Sequence, residues 1–333
     1  ISTMILGTTI TMTSHHWLFA WLGLEINTLA MVPLIAEQHH PRATEAAMKY
    51  FMIQATTASM ILFAGTINAK HLGQWTITTE SPPLALLLLT VALLTKLGLA
   101  PTHVWYQDVL HGATLTTALI LATWQKLAPL ALLLMLHTQL PTEIFLVLGA
   151  LSAMVGGWGG LNQTQLRKIM AYSSISHMGW LTTAVVLNES LSTLALSLYL
   201  IMTTSLFLTL ISTTTKTLSD LATTWMTSPP LLSTMMLSLL SLGGLPPLTG
   251  FSPKWMIINQ LTTMNFNVLA TILLMASLPS LFFYLRMAYL STLTTPPGTV
   301  NHKHKWQLSP HPTKLLATTH TLAILLLPTL PLL

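Results

Sequence analysis

The sequence predicts an all-α polytopic membrane protein, a single membrane domain of about eleven transmembrane helices. Three observations lead there. Charged residues are 6% of the chain, against roughly 25% in a soluble domain, and apolar residues are 52%. Thirteen basic and eight acidic side chains cannot clothe a water-soluble protein of 333 residues. The apolar runs are long and continuous, as spanning helices require, and not the short alternating segments of a membrane barrel. Much of the polar remainder is Thr and Ser, which can bond to their own helix's carbonyls.

The first run, 1–13, is too short to span alone, so the chain is expected to continue ahead of Ile1; no basic n-region marks a signal peptide. The second, 16–36, ends before the turn His39-His40-Pro41, and the third covers 43–68. The fourth, 83–110, opens at Ser81-Pro82-Pro83 and is interrupted by Gly98 and Pro101. Short connections separate 114–137, 141–160, 164–187 and 190–213. The ninth, 230–263, opens at Ser228-Pro229-Pro230 and contains Gly243, Gly244, Pro246, Pro247 and Gly250. The tenth, 267–290, leads to a loop with Pro296-Pro297-Gly298 and then to 313–331.

Alternate threading of these spans puts Arg42, Lys49, Arg167, Lys168, Lys216, Arg286, Lys303, Lys305 and Lys314 on the side of residue 1. The other side receives Lys70, with Glu80, Glu143 and Glu189. By the positive-inside rule the first side is cytoplasm or matrix. The basic residues are scattered, so the net charge of +5 reflects topology and implies no nucleic-acid partner.

Four charges fall inside spans: Glu25, Lys96, Lys126 and Lys254. Each costs about 2.5–3.5 kcal/mol at the bilayer centre on insertion scales, so such residues mark function. One Glu25–lysine pair could serve only as helix glue, but two further lysines then have no mid-membrane acid. Desolvation favours the neutral amine and a nearby carboxylate favours the ammonium, so a lysine between the two suits a proton relay. His177 lies mid-span and His103 just beyond Lys96; each is a relay candidate or a packing hydrogen bond. His15, His16, His39, His40, His71, His302, His304 and His311 sit at span ends. No paired mid-membrane histidines at a repeated spacing suggest haem. With no cysteine, Cys-ligated zinc, iron–sulfur clusters and thiol chemistry are excluded. No metal or cofactor is expected on this chain.

Both interrupted spans carry a lysine, and each is fourth in a group of five. Residues 1–137 and 141–290 therefore read as two five-helix repeats of opposite orientation, with 313–331 as an extra C-terminal helix.

KLGLAPTHVW, LNQTQLRKIMAYSSISHMGW and SLLSLGGLPPLTGFSPKW resemble the antiporter-like membrane subunits of proton-pumping NADH:ubiquinone oxidoreductase, respiratory complex I. GLEINTLAMVPLI and HHPRATEAAMKYF narrow the resemblance to a short mitochondrial branch with eleven helices, and it runs essentially end to end. It implies that Glu25 pairs with the broken-helix Lys96, that Lys126 is the central connecting lysine, and that Lys254 faces a neighbouring antiporter-like subunit. His103 and His177 match histidines on the same hydrophilic axis. Thr102 and Val104 flank His103, and Asp108 follows it, where the family usually has aromatics and a Glu; this bears on local packing and not on the lysine. Arg42, Glu45, Lys49, Arg167 and Lys168 also match, and topology explains them as well as function does.

The implied role is a core membrane-arm subunit of an H⁺-translocating NADH:ubiquinone reductase, moving protons during electron transfer in the mitochondrial inner membrane. NADH, FMN, iron–sulfur clusters and ubiquinone would bind elsewhere in the complex. Partners would be the other membrane-arm subunits and membrane lipids, with cardiolipin suited to the basic loops. The N-terminus would face the matrix and the C-terminus the intermembrane space. Two other classes remain open: a subunit of a cation/proton antiporter, and a passive membrane-arm spacer.

Overall fold

The computed structural model describes residues 1–77, 81–226, 229–293 and 314–327. Among these, helices account for nearly all regular structure, and no strand longer than an isolated bridge occurs. The chain forms two compact units, Ile1–Ser152 and Ala153–Leu333. Glu80, Lys303, Lys305, the Pro296-Pro297-Gly298 turn and the end of the 313–331 span lie outside the described residues.

The first unit starts with α1 (Ser2–Thr13) and α2 (Trp17–Ala36). They approach backbone to backbone: a Cβ on Gly7 would lie 2.8 Å from the Gly23 carbonyl oxygen. Small residues at such crossings let apolar helices gain van der Waals contact. His40 caps the long α3 (Pro41–Leu72), its ring accepting from Arg42 N–H. The helix outruns its apolar core of 43–68 because this cap extends it at one end and the left-handed Gly73 stops it only at the other. The chain then returns to the start of α2, with Trp17 N–H on Trp75 O at 2.9 Å and Ile77 N–H on His15 O at 3.1 Å. His16 stacks on Trp75 across this join.

The fourth span is two helices, α4 (Pro83–Leu97) and α5 (Val104–Gly112). The fifth also breaks, which corrects its reading as one continuous helix. It runs as α6 (Leu115–Ala122), a single 3₁₀ turn Trp124–Lys126, and α7 (Leu127–Met135). Pro129 has no N–H for the Gln125 carbonyl four residues back, which removes one bond of the α-helical ladder beside this turn. α8 (Thr142–Gly160) follows.

The second unit contains α9 (Leu166–Leu187), α10 (Glu189–Thr213), the short unforeseen α11 (Leu218–Thr223), α12 (Pro229–Gly243), α13 (Phe251–Thr263), α14 (Asn267–Thr292) and α15 (Lys314–Leu325). α9 is nearly all buried, and its Ser173, Ser174, Ser176, Thr182 and Thr183 hydroxyls all donate to carbonyls three residues back. Here too the residues before one helix meet those after the next: Leu166 N–H on Lys216 O and Leu218 N–H on Thr164 O, each 3.1 Å. α11 is set by a capping box between Thr217 and Asp220. Burial opposes ionisation of Asp220, but N–H and hydroxyl donors from Thr217 and the Lys216 N–H outweigh it and hold the carboxyl below its usual range.

Six segments among the described residues are long and apolar enough to cross a membrane: Trp17–Ala36, Pro41–Leu72, Leu115–Met135, Thr142–Gly160, Glu189–Thr213 and Asn267–Thr292. Pro83–Leu97 and Pro229–Gly243 are shorter apolar helices, each ended by a break.

Gly7→Val is expected to overpack the α1–α2 crossing and cost about 1–3 kcal/mol. A lowered midpoint in thermal inactivation of the assembled protein is the readout, and an unchanged midpoint would contradict the close approach.

Candidate functional site

Each interrupted span breaks in the same way. Gly98 (φ +76°) and Gly244 (φ +85°) sit in the left-handed region that favours glycine. Gly98 N–H bonds to the Leu94 and Thr95 carbonyls and Leu99 N–H to Leu94. Gly244 N–H bonds to Leu240 and Ser241 and Leu245 N–H to Leu240, the same pattern residue for residue. These bonds satisfy carbonyls that a helix end otherwise leaves bare. Gly98-Leu99-Ala100-Pro101 and Gly244-Leu245-Pro246-Pro247 supply it in sequence.

In the first unit Lys96 lies in the last turn of α4, 8% exposed, and its ammonium donates to Gln54 Oε1 of α3 at 3.1 Å. The negative end of the α4 dipole adds to its stabilisation. Lys126, 2% exposed in its 3₁₀ turn, has its ammonium 4.9 Å from the centre of the Tyr106 ring, a cation–π contact. Lys96 and Lys126 line one cavity of about 20 Å³, with Tyr50, Gln54, Trp105 and Tyr106 among its walls. That volume accommodates about one water molecule. Gln125 at its edge donates to Asn27 Oδ1 at 2.9 Å, and Trp105 Nε1 donates to Thr95 O at 3.2 Å, tying α5 back to the end of α4.

Glu25 is not hydrogen-bonded to Lys96 and no ion pair joins them, unlike the expected pairing. The Lys96 ammonium is directed at Gln54, and Glu25 Oε2 is buried without a hydrogen-bond partner among the described residues. His103 stands outside this cavity, at the start of α5, with Nδ1 3.2 Å from Pro101 O.

In the second unit Lys254, in the first turn and a half of α13, reaches back to α12 and donates to Gly243 O at 2.9 Å. A Cβ on Gly244 would meet this ammonium at 2.9 Å. Lys254 and His177 line one cavity of about 20 Å³ together with Tyr199, Met202, Gly250 and Trp180. His177 Nε2 is 3.3 Å from the Tyr284 hydroxyl, and its ring packs against Tyr199.

The sequence reading missed Gln54, Tyr106 and Tyr284, which carry no local signal, and the 3₁₀ turn at Lys126, which Pro129 does signal. It also missed the Lys49–Asp108 ion pair of 2.8 Å, because the partners are far apart in sequence.

Two lysine centres, one buried and one half-buried, each beside a broken helix, define an antiporter-like membrane protein. Residues 14–280 match the family model NADH:quinone oxidoreductase/Mrp antiporter, TM, and residues 281–333 match the NADH dehydrogenase subunit 2 C-terminus. Relatives named NADH-ubiquinone oxidoreductase chain 2 include that of Varanus melinus, 50% identical over 99% of this chain and 96% of its own. That of Tetraodon nigroviridis is 53% identical over 98% of this chain and 94% of its own. A chain of respiratory complex I from Thermus thermophilus superimposes with TM-score 0.86 at 27% identity, covering 99% of this chain and 78% of that one. A chain of the Mrp complex from Dietzia sp. DQ12-45-1b shares the fold, with TM-score 0.82 at 16% identity over 94% of this chain and 63% of that one. The chain belongs to the NADH:quinone oxidoreductase/Mrp antiporter membrane family and, within it, to the NADH-ubiquinone oxidoreductase chain 2 group.

Two substitutions test the geometry of the lysine centres. Gln54→Leu removes the acceptor of Lys96 and should destabilise the first unit by about 1.5–3 kcal/mol, read as a lowered inactivation midpoint. Gly244→Ala forces a left-handed alanine against the Lys254 ammonium, costing about 1–3 kcal/mol, and should slow proton pumping in complexes that still assemble. Parental pumping in that variant would show that the Gly243–Lys254 contact is dispensable.

Proposed function

We propose that the chain is a core membrane-arm subunit of proton-pumping NADH:ubiquinone oxidoreductase and moves protons through its buried lysines while electrons pass from NADH to ubiquinone elsewhere in the complex. The observation that carries this reading is a lysine lodged at a helix break in each unit, Lys96 buried and Lys254 half-buried, within a chain that matches the family along its length. The chain itself holds no redox centre; NADH, flavin, iron–sulfur clusters and ubiquinone belong to other subunits.

The relay residues are Glu25, Lys96 and Lys126 in the first unit and His177 and Lys254 in the second, with His103 a peripheral member. One water in the first cavity can bridge Lys96 and Lys126, and a proton passing between them leaves an amine on one side and an ammonium on the other. Glu25 acts across space, since Gln54 occupies the Lys96 ammonium. A neighbouring subunit that shifts Glu25 changes the field at Lys96 and so its proton balance. At an effective dielectric near 20, unit charges about 10 Å apart interact by about 1.7 kcal/mol, enough to bias such a step. In the second unit, His177 can receive or give a proton through either ring nitrogen, with Tyr284 orienting it.

The repeated glycine cap and the repeated join between helix ends support two repeats of five spans, residues 1–137 and 141–290, followed by one C-terminal helix. The basic residues support a mitochondrial inner-membrane orientation with the N-terminus in the matrix and the C-terminus in the intermembrane space. On this reading the partners are other membrane-arm subunits, an antiporter-like one lying on the Lys254 side, and anionic lipid such as cardiolipin at the matrix-side basic loops.

Complex I carrying Lys96→Met, shown to assemble, tests the relay in vesicles. NADH:ubiquinone turnover and proton pumping are both expected to fall by about tenfold or more, a barrier increase of at least about 1.4 kcal/mol. Parental values for both would make the chain a passive spacer.

A further inference from the structure

A second, charged cavity lies near the first lysine centre, on the same two helices. It has a volume of about 220 Å³ and is lined by Arg42, Glu45, Lys49, Asp108 and His111, with Ala46 and Gly112. Lys49 Nζ is 2.8 Å from Glu45 Oε1 and 2.8 Å from Asp108 Oδ2. The Lys49 side chain is 42% exposed and that of Asp108 37%, so water reaches both. At this cavity the two helices touch: a Cβ on Gly112 would lie 2.6 Å from Ala46 Cβ.

The inner cavity of Lys96 begins one step further along α3 and α5. Tyr50 follows Lys49, and Gln54, which holds Lys96, lies five residues beyond Lys49, about 7.5 Å at helical rise. On α5, Trp105 and Tyr106 stand within one turn of Asp108 and line the inner cavity. The Tyr50 and Trp105 ring centres are 6.0 Å apart, and Trp105 and Tyr106 pack edge to face at 5.6 Å. Tyr50 is 2% exposed and Trp105 6%. Aromatic rings thus separate a wet charged chamber from a nearly dry lysine chamber along one pair of helices. A coupled pump needs such a separation, because a standing water path to Lys96 would let protons equilibrate without work.

We propose that the Lys49–Asp108 cluster is the mouth through which Lys96 exchanges protons with the side at the start of α3, and that the Tyr50–Trp105 pair is the barrier at its inner end. The proposal rests on the relay reading above. Asp108 carboxylate takes a proton from water, loosening its bond to the Lys49 ammonium. When the rings part, the proton passes by water to the Lys96 amine, which becomes the ammonium. Asp108, a carboxylate again, re-pairs with Lys49. Gln54, facing the inner chamber from α3, is placed to receive the arriving ammonium hydrogen.

The test uses whole complex I in proteoliposomes. For Tyr50→Leu and Trp105→Leu, passive proton entry under an imposed gradient without NADH should rise several-fold. Protons pumped per NADH should fall in the complexes that assemble. For Asp108→Asn, coupled turnover should fall several-fold with no added leak, and Asp108→Glu should restore it, a rescue that loss of packing alone would not produce. Parental leak and pumping ratio in both assembled ring variants would overturn the barrier, and parental coupled turnover in Asp108→Asn would overturn the mouth. Lys96→Met measured alongside separates the two levels. If it stops pumping while these variants change nothing, only the entry assignment fails; if it pumps normally, the relay reading itself fails.

Discussion

A lysine ammonium in an apolar helix bundle needs an acceptor, and a continuous helix has none to offer, since its carbonyls are already bonded. The breaks in this chain resolve that conflict. At Gly244 the helix ends in mid-bundle, and the Gly243 carbonyl becomes free to accept from Lys254. At Gly98 the helix ends two residues after Lys96, so its ammonium lies at the negative end of the dipole and close to Gln54. The cost is local: a left-handed residue, which only glycine adopts without strain, and several backbone groups satisfied by the tighter cap bonds. Most other features of the two units serve this arrangement. Trp105 ties the second half-helix to the end of the first, and Tyr284 and Tyr199 fix the histidine beside Lys254.

The choice of acceptors is informative. Gln54 and a backbone carbonyl are neutral, so they hold an ammonium by hydrogen bonding without supplying a full opposite charge. A direct carboxylate partner would bind the proton's charge tightly and make its release dependent on breaking a buried pair, which is strongly unfavourable. On the proposed relay, Glu25 lies beyond hydrogen-bond reach of Lys96 and modulates it by a change in distance. Lys126 also meets a neutral group, the face of the Tyr106 ring.

The features legible in the sequence were those fixed by neighbouring residues. Gly98 and Pro101, and Gly243 through Gly250, announce their breaks because glycine and proline act on their own backbone. The break at Lys126 was equally local, through Pro129, but the surrounding leucines read as an unbroken span. What escaped was non-local. Which polar group reaches Lys96 depends on how α2 and α3 lie against α4, and no pattern within any one of these helices separates Gln54 from Glu25 as the nearer group. Asp108 looked like a departure from a family pattern near His103, whereas its place in the fold is opposite Lys49, 59 residues earlier. His103, close to Lys96 in sequence, does not line the Lys96 cavity, and its Nδ1 lies 3.2 Å from the Pro101 carbonyl.

These contrasts follow from where water is available. Full ion pairs occur where solvent still screens them, as at Lys49, Glu45 and Asp108, and there they contribute little net stability and open readily. Deeper in, Lys96 meets an amide, Lys126 an aromatic face and Lys254 a peptide carbonyl, all of them neutral. A proton crossing from the first environment to the second leaves a place where its charge is shared with water for one where a single fixed dipole receives it. The two ring systems of Tyr50 and Trp105 mark that boundary. On the proposed path, a small movement of these side chains would join or part the two environments.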